Sequence, residues 1–452
     1  MKSKEILLFI IAFVILYSFQ WDYFSIIAVL LFVRNLYQLI INSNNVIAFR
    51  EFVLVLFSLN YLLSPVLMYN GLDIYQTIYA MSIPKEEYFS LAIPAIILFQ
   101  LAMYIMPVKI FSLDFRVLKN QAVQNERTFK QWTIAGVLLR FFAIGIPGEL
   151  AFVVYLLSSI RFIGAFTLVA LNFKKYKVYL LMVFFFEIAA SLAQGMFQDS
   201  LLWLIFFSLF ACRLFKPSLL FKIGIMILGI GFVFLLQLAK GDYRSRTWTG
   251  TEEAGISSFS TSIESSTETS SEGLLTTDRI SNSLTRVNQG WIFASTVKNM
   301  QLTEDYQHWN LVALYLEAAI LPRFLAPNKL TSGNRDIFNR YSGRYIGEGT
   351  SMGLGILADG YISFGRAGVY IFAFAFGLIF CLIFKVVERW TLISPFFILF
   401  IFPILHYACR PDCETQTILG HIVKSIFLFG CFVFYYKRIF LKDVSYPHAL
   451  SM

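Results

Sequence analysis

The sequence predicts an all-α integral membrane protein with about twelve transmembrane helices. Three observations carry this. The 452 residues are 58% hydrophobic and only 14% charged, with a mean hydropathy of +0.67. A soluble globular chain is about 45–50% apolar and about 25% charged. The apolar residues also come in blocks, such as KIGIMILGIGFVFLLQLA (222–239) and VYIFAFAFGLIFCLIF (369–384). Each block approaches the ~20 residues that cross a bilayer.

Taken in order, the expected spans are 6–19, 23–41, 48–69, 88–107, 131–146, 150–172, 178–194, 200–212, 221–239, 366–385, 393–409 and 418–436. The first run ends in YSFQWDYF without a small-residue cleavage site, which predicts a retained span. IGIPGE splits the fifth span from the sixth, where Pro147 and Gly148 suit a tight turn. Arg34, Arg140, Arg161, Glu187 and Lys424 fall inside spans, where charge is costly and usually paired, and Arg161 and Glu187 on successive spans are candidates to pair.

Short-loop cations orient the chain. With a cytoplasmic N-terminus, nineteen fall inside. They are Lys2, Lys4, Arg50, five from Lys109 to Lys130, three from Lys174 to Lys177, three from Arg213 to Lys222, Lys385, Arg389, and three from Lys437 to Lys442. The short outer loops carry only Lys85 and Arg410. Both termini are therefore expected in the cytoplasm, and the net charge of +9 reads as a topology signal. No basic patch with interleaved aromatics points to nucleic acid.

Three regions follow: spans one to nine over 1–239, one large outer loop over 240–365, and spans ten to twelve with a cytoplasmic tail over 366–452. Within the loop, 250–278 is Ser/Thr-rich and acidic, with too little apolar matter to offset ordering entropy. It is expected to be flexible. TRVNQGWIFASTVKNM (285–300) and HWNLVALYLEAAILPRFLAP (308–327) have helical spacing. The second is expected along the membrane surface or docked on the bundle.

The candidate site residues lie on the outer face. KGDYRSR places Lys240, Tyr243, Arg244 and Arg246 where a span ends, and three cations in seven residues suit an anionic ligand. The plain alternative is snorkelling helix anchors. Arg323, Lys329, Arg335, Arg340 and Arg344 recur between Pro322 and Gly347, interleaved with Phe338, Tyr341 and Tyr345. Aromatic faces among such polar groups are a common way to hold sugars, though a solvated loop would look similar. Glycines 347, 349, 353, 355, 360, 365 and 368 allow non-helical or closely approaching backbone before the tenth span. Glu348, Asp359 and Tyr361 sit in that stretch. HYACRPDCETQT (406–417) adds Arg410 and Glu414 between the last two spans, and leaves open a bridge between Cys409 and Cys413. Four scattered histidines and no ligand spacing disfavour a metal centre. No cofactor is expected.

Cations after the ninth span (LLQLAKGDYRSR), the PRFLAPNK segment, and TSMGLGILADGYISFGRAG leading into the next span together resemble the bacterial O-antigen (Wzy-type) polymerases. The likeness is strongest over 235–370. It implies a GT-C-like, metal-independent, inverting glycosyltransferase of the inner membrane, working at the periplasmic face. Donor and acceptor would be undecaprenyl-diphosphate-linked glycans, with membrane lipids and a chain-length regulator as further partners. On this reading Glu348, Arg244 and Arg323 are expected to be catalytic. Lys240, Tyr243, Arg246, Arg340, Tyr341, Arg344, Asp359, Tyr361, Arg410 and Glu414 are expected to bind substrate. An O-antigen ligase, or a flippase for the lipid-linked repeat, are the alternatives.

Overall fold

The protein is described here from a computed structural model. It describes residues 11–72 apart from 12, 15 and 19, then 79–109, 115–142, 146, 148–248, 255–268, 286–323, 325–347 and 350–440. Every regular element among these residues is helical. Nine helices among them are long and apolar enough to cross a membrane. They run over Tyr23–Asn42, Phe49–Gly71, Lys85–Met103, Leu150–Leu171, Phe173–Gln194, Gln198–Phe215, Leu219–Gly241, Ile356–Thr391 and Thr415–Arg438. The chain is an all-α membrane protein.

The remaining three of the twelve expected spans differ for separate reasons. Most of 6–19 lies outside the described residues. The helix over 131–146 is Glu126–Phe142, and its first turns are charged. Over 393–409 the helical run is only Pro395–Ile404. Pro395 and Pro403 each remove a backbone donor there, and residues 405–409 form turns.

Two compact units arise. The first comprises 1–107, 184–381 and 409–417, the second 108–183, 382–408 and 418–452. In the second, the helices Glu126–Phe142 and Ile160–Leu171 cross at glycines. A side chain at Gly136 would strike the Arg161 backbone nitrogen at 2.6 Å, and one at Gly164 the Phe129 carbonyl oxygen at 2.7 Å. Arg161 is buried and donates to the Ser158 carbonyl at 2.8 Å. Arg140 lies 5.2 Å over the Tyr155 ring and Lys424 5.1 Å over Phe152, so aromatic faces meet these charges.

In the first unit, Leu219–Trp248 is a single 30-residue helix. At 1.5 Å per residue it is about 45 Å long, more than the ~30 Å of a bilayer core. Its last turns, which carry Lys240 and Arg244, project past a core-length span. Tyr243 on that stretch is fully buried with Leu192, Phe197 and Leu236.

The Ser/Thr-rich stretch departs from its expected flexibility. Ile256–Glu268 forms a helix, while 249–254 and 269–285 lie outside the described residues. The Phe259 ring meets Tyr243 edge-on at 5.4 Å and Phe197 tilted at 5.2 Å, and Ser258 and Ser262 are buried beside it. One aromatic anchor and two small residues on one face dock a helix that composition reads as linker.

His308–Ile320 buries Leu311, Tyr315, Ala318 and Ala319 and exposes Trp309, Leu316 and Ile320. It is apolar on both sides, as suits a helix between protein and lipid. The helix Ile356–Thr391 reverses at Phe364–Gly365, where Gly365 takes φ 61° and ψ −143°. The reversal lays Gly360 on Gly368: a side chain at Gly360 would strike the Gly368 carbonyl oxygen at 2.5 Å. Before it, the Gln289 amide donates to the carbonyls of Gly353 and Leu354 at 2.9 and 3.0 Å. That grip presses the glycine-rich loop against residues 411–414. Gly355, at φ +83°, leaves room for the Pro411 carbonyl oxygen and the Tyr61 hydroxyl.

Candidate anion-binding and catalytic site

Four cations from three parts of the chain gather in the first unit. Lys240 and Arg244 sit one turn apart at the end of Leu219–Trp248, so they share a helix face. Arg286 stands just before the helix Gly290–Thr303, and Arg410 lies in the turn after Cys409. Lys240 lies within electrostatic reach of Arg244, Arg286, Asp412 and Arg410. Arg244 donates from Nε to the Gly195 carbonyl at 2.9 Å. Partial burial, and then the Arg286 charge, depress its pKa below the usual guanidinium range. Like charges held this way repel, and an anion among them relieves the repulsion.

Arg410 is fixed by its own neighbours. It donates to Gln198 Oε1 at 2.7 Å and to Asp412 Oδ2 at 3.1 Å, and lies 3.8 Å from Asp199. Burial works to raise the Asp412 carboxyl, but the Arg410 charge and hydrogen bond outweigh it and hold the pKa below its ordinary value. Asp412 thus stays ionised and keeps the fork of Arg410 aimed.

Two residues on, the opposite balance holds. Glu414 is 4% exposed. Its Oε2 accepts from the Gly333 N–H at 3.0 Å, the Gln416 amide at 2.7 Å and the Thr417 hydroxyl at 3.4 Å. Burial nevertheless dominates and pushes its carboxyl up to about 8, with the Asp359 charge adding to the rise. Such a value lies close to working pH, where a carboxyl can exchange a proton in either direction. Asp359, 1% exposed, accepts from the Tyr315 hydroxyl at 2.8 Å and the Thr415 N–H at 2.9 Å. Its carboxylate thereby holds the backbone next to Glu414. Gly353 completes the packing, since a side chain there would meet the Glu414 Cγ at 3.1 Å.

The other expected residues are dispersed. Glu348 lies outside the described residues. Arg323 is exposed in the turn after His308–Ile320. Arg246 is half-buried two residues beyond Arg244. Arg340 is engaged by Asp305, at 3.0 Å from Nε and 2.7 Å from a terminal nitrogen, and lies 5.1 Å over the Tyr341 ring. Arg344 donates to the Ser82 hydroxyl at 2.9 Å and the Ser295 hydroxyl at 3.3 Å.

The three tyrosines expected to bind substrate are buried. Tyr243 donates to the Leu192 carbonyl at 2.8 Å. Tyr341 is 4% exposed, and Tyr361, 3% exposed, packs against Phe293 and Tyr306. In a chain this rich in aromatics, ring position alone does not separate packing from ligand stacking. Cys409 and Cys413 are both free thiols. Arg286 is the cation that sequence reading misses. It stands alone after the Ser/Thr-rich tract, and only the fold carries it to Lys240. Among the described residues no group of three His, Cys, Asp or Glu side chains could hold a metal ion.

No curated protein and no solved structure matches the chain. The sequence profile of a domain of unknown function, DUF8712, matches residues 110–393, a stretch that includes Lys240, Arg244, Arg286 and Asp359 and stops before Arg410 and Glu414. The match spans more than half of the sequence, and the chain therefore belongs to the DUF8712 family.

Proposed function

We propose that this protein is a metal-independent glycosyltransferase. It polymerises undecaprenyl-diphosphate-linked repeat units into a surface polysaccharide at the periplasmic face of the bacterial inner membrane. The observation that carries the reading is the gathering of Lys240, Arg244, Arg286 and Arg410 at one place, with the buried carboxyl of Glu414 on the same short segment as Arg410. The twelve-span, GT-C-like plan with both termini cytoplasmic belongs to the same proposal, as does a chain-length regulator as partner.

In this reading the cations hold the donor diphosphate. The acceptor hydroxyl attacks the anomeric carbon from the face opposite the phosphate. The new C–O bond forms as the old C–O bond to phosphate breaks, and the electron pair leaves with the diphosphate. Preset positive charge stabilises that developing charge without reorganisation. Glu414, once ionised, takes the hydroxyl proton. Glu348 is the alternative base named by the sequence.

The test uses purified protein supplied with lipid-linked repeat unit. Glu414→Gln is expected to cut turnover by roughly 10²–10⁴-fold, the usual worth of general base catalysis, while undecaprenyl diphosphate still binds. If Glu414→Gln turns over normally and Glu348→Gln is dead, the base is Glu348. If the wild-type protein moves the lipid across vesicles without lengthening the glycan, the flippase alternative replaces this one.

A further inference from the structure

The start of the helix Thr415–Phe440, directly after Glu414, bears a second feature. Gln416 is 5% exposed, and its amide nitrogen donates to Glu414 Oε2 at 2.7 Å. Its amide oxygen is buried, with no hydrogen-bond partner among the described residues. A buried acceptor left unpaired costs free energy that a bound donor would recover. From Glu414 a line of polar groups runs outward. Thr417 Oγ1 lies 3.4 Å from Glu414 and 3.0 Å from the Ser332 hydroxyl, and Ser332 is exposed. The loop through Gly333 closes on the same carboxyl, its N–H spent on Glu414. Gly333 sits at φ +67° with Ser351 packed where a side chain would point, so this loop is closely set.

We propose that Gln416, Thr417 and Ser332 line an acceptor subsite, a narrow notch that takes a neutral sugar hydroxyl and delivers it to Glu414; this rests on the glycan-transfer reading above. A hydroxyl both donates and accepts, which matches an orphan amide oxygen beside a carboxyl and two further hydroxyls. An anion would face Glu414 and Asp359. A cation would face the arginine and lysine cluster reached from the same segment. A neutral polyol meets neither penalty. The segment 410–417 then divides the two substrates, with the diphosphate on its Arg410 side and the acceptor on its Gln416 side.

The experiment separates the two sides with two probes. One is undecaprenyl diphosphate. The other is the free repeat oligosaccharide, released from its lipid by mild acid, which carries no diphosphate. Binding of each is measured by native mass spectrometry to wild-type protein and to Gln416→Ala, Gln416→Met, Thr417→Val and Arg244→Ala. Gln416→Met keeps the side-chain volume should Gln416→Ala misfold. The Gln416 variants are expected to weaken oligosaccharide binding roughly tenfold, one good hydrogen bond, and to leave undecaprenyl diphosphate binding unchanged. Arg244→Ala is expected to do the reverse. If the Gln416 and Thr417 variants bind oligosaccharide like wild type, the notch is not the acceptor subsite. If wild type binds undecaprenyl diphosphate but no oligosaccharide, the notch proposal is overturned while the donor reading stands. If wild type binds neither probe, the glycan-transfer reading fails and takes the notch with it.

Discussion

At the scale of single residues, Glu414 ties the chemistry to pH. Burial raises its pKa from the ordinary 4.5 to about 8. The folded protein therefore keeps this proton at pH values where the unfolded chain has released it. The sign follows from linkage: this group's contribution to stability is fully present below the unfolded value and is lost as pH rises through about 8. Glu414→Gln removes that loss. Thermal unfolding in detergent should show the variant gaining on wild type between pH 5 and pH 8, by about the same margin in repeat melts. Turnover of wild type should climb over the same interval, as the base ionises, and level off above it. Lys240, Arg244 and Arg410 were legible in the sequence as cations placed against the local trend of the outer face, and Glu414 as a carboxylate beside Arg410. Arg286 and Gln416 were not, because a lone cation and a lone amide carry no pattern until the fold brings partners to them.

Helices and turns set where those residues stand, and two of them make separable predictions. The helix Ile256–Glu268 docks through Phe259 onto Tyr243, one residue from Arg244. Tyr243→Phe removes a hydroxyl that donates to the Leu192 carbonyl and should cost about 1 kcal/mol, read from the shift in denaturation midpoint. Phe259→Ala should cost more, and should loosen undecaprenyl diphosphate binding through Arg244. Unchanged binding in Phe259→Ala would mean the docked helix is mere cover. The glycine-rich reversal is the second case. Gly360 and Gly368 meet backbone to backbone, so Gly360→Val should disrupt the packing of the helical stretch that carries Asp359. Lost activity at normal protein level is the expected result. The sequence showed that glycines crowd this stretch, but the reversal at Phe364–Gly365 depends on which glycines touch. The helix in the Ser/Thr-rich tract escaped notice because its apolar content is small and works only against a partner face.

For the whole molecule, hydropathy alone delimits most of the helices. Long apolar blocks such as 23–41 become helices with ends within a few residues, since few other structures satisfy backbone groups in lipid. Where prolines interrupt an apolar block, as over 393–409, hydropathy overstates the helix. Function is less legible because the site is assembled from four distant segments, around 195–199, 240–244, 286 and 410–417, none of which carries a complete motif. The most direct measurement of the central claim is polymer formation by purified wild-type and Arg244→Ala protein, reconstituted with undecaprenyl-diphosphate-linked repeat unit as sole substrate. The account predicts a ladder of long glycans on the carrier lipid with wild type and single repeats only with Arg244→Ala, at equal protein content. Equal ladders from the two proteins, or no ladder from wild type, would contradict it.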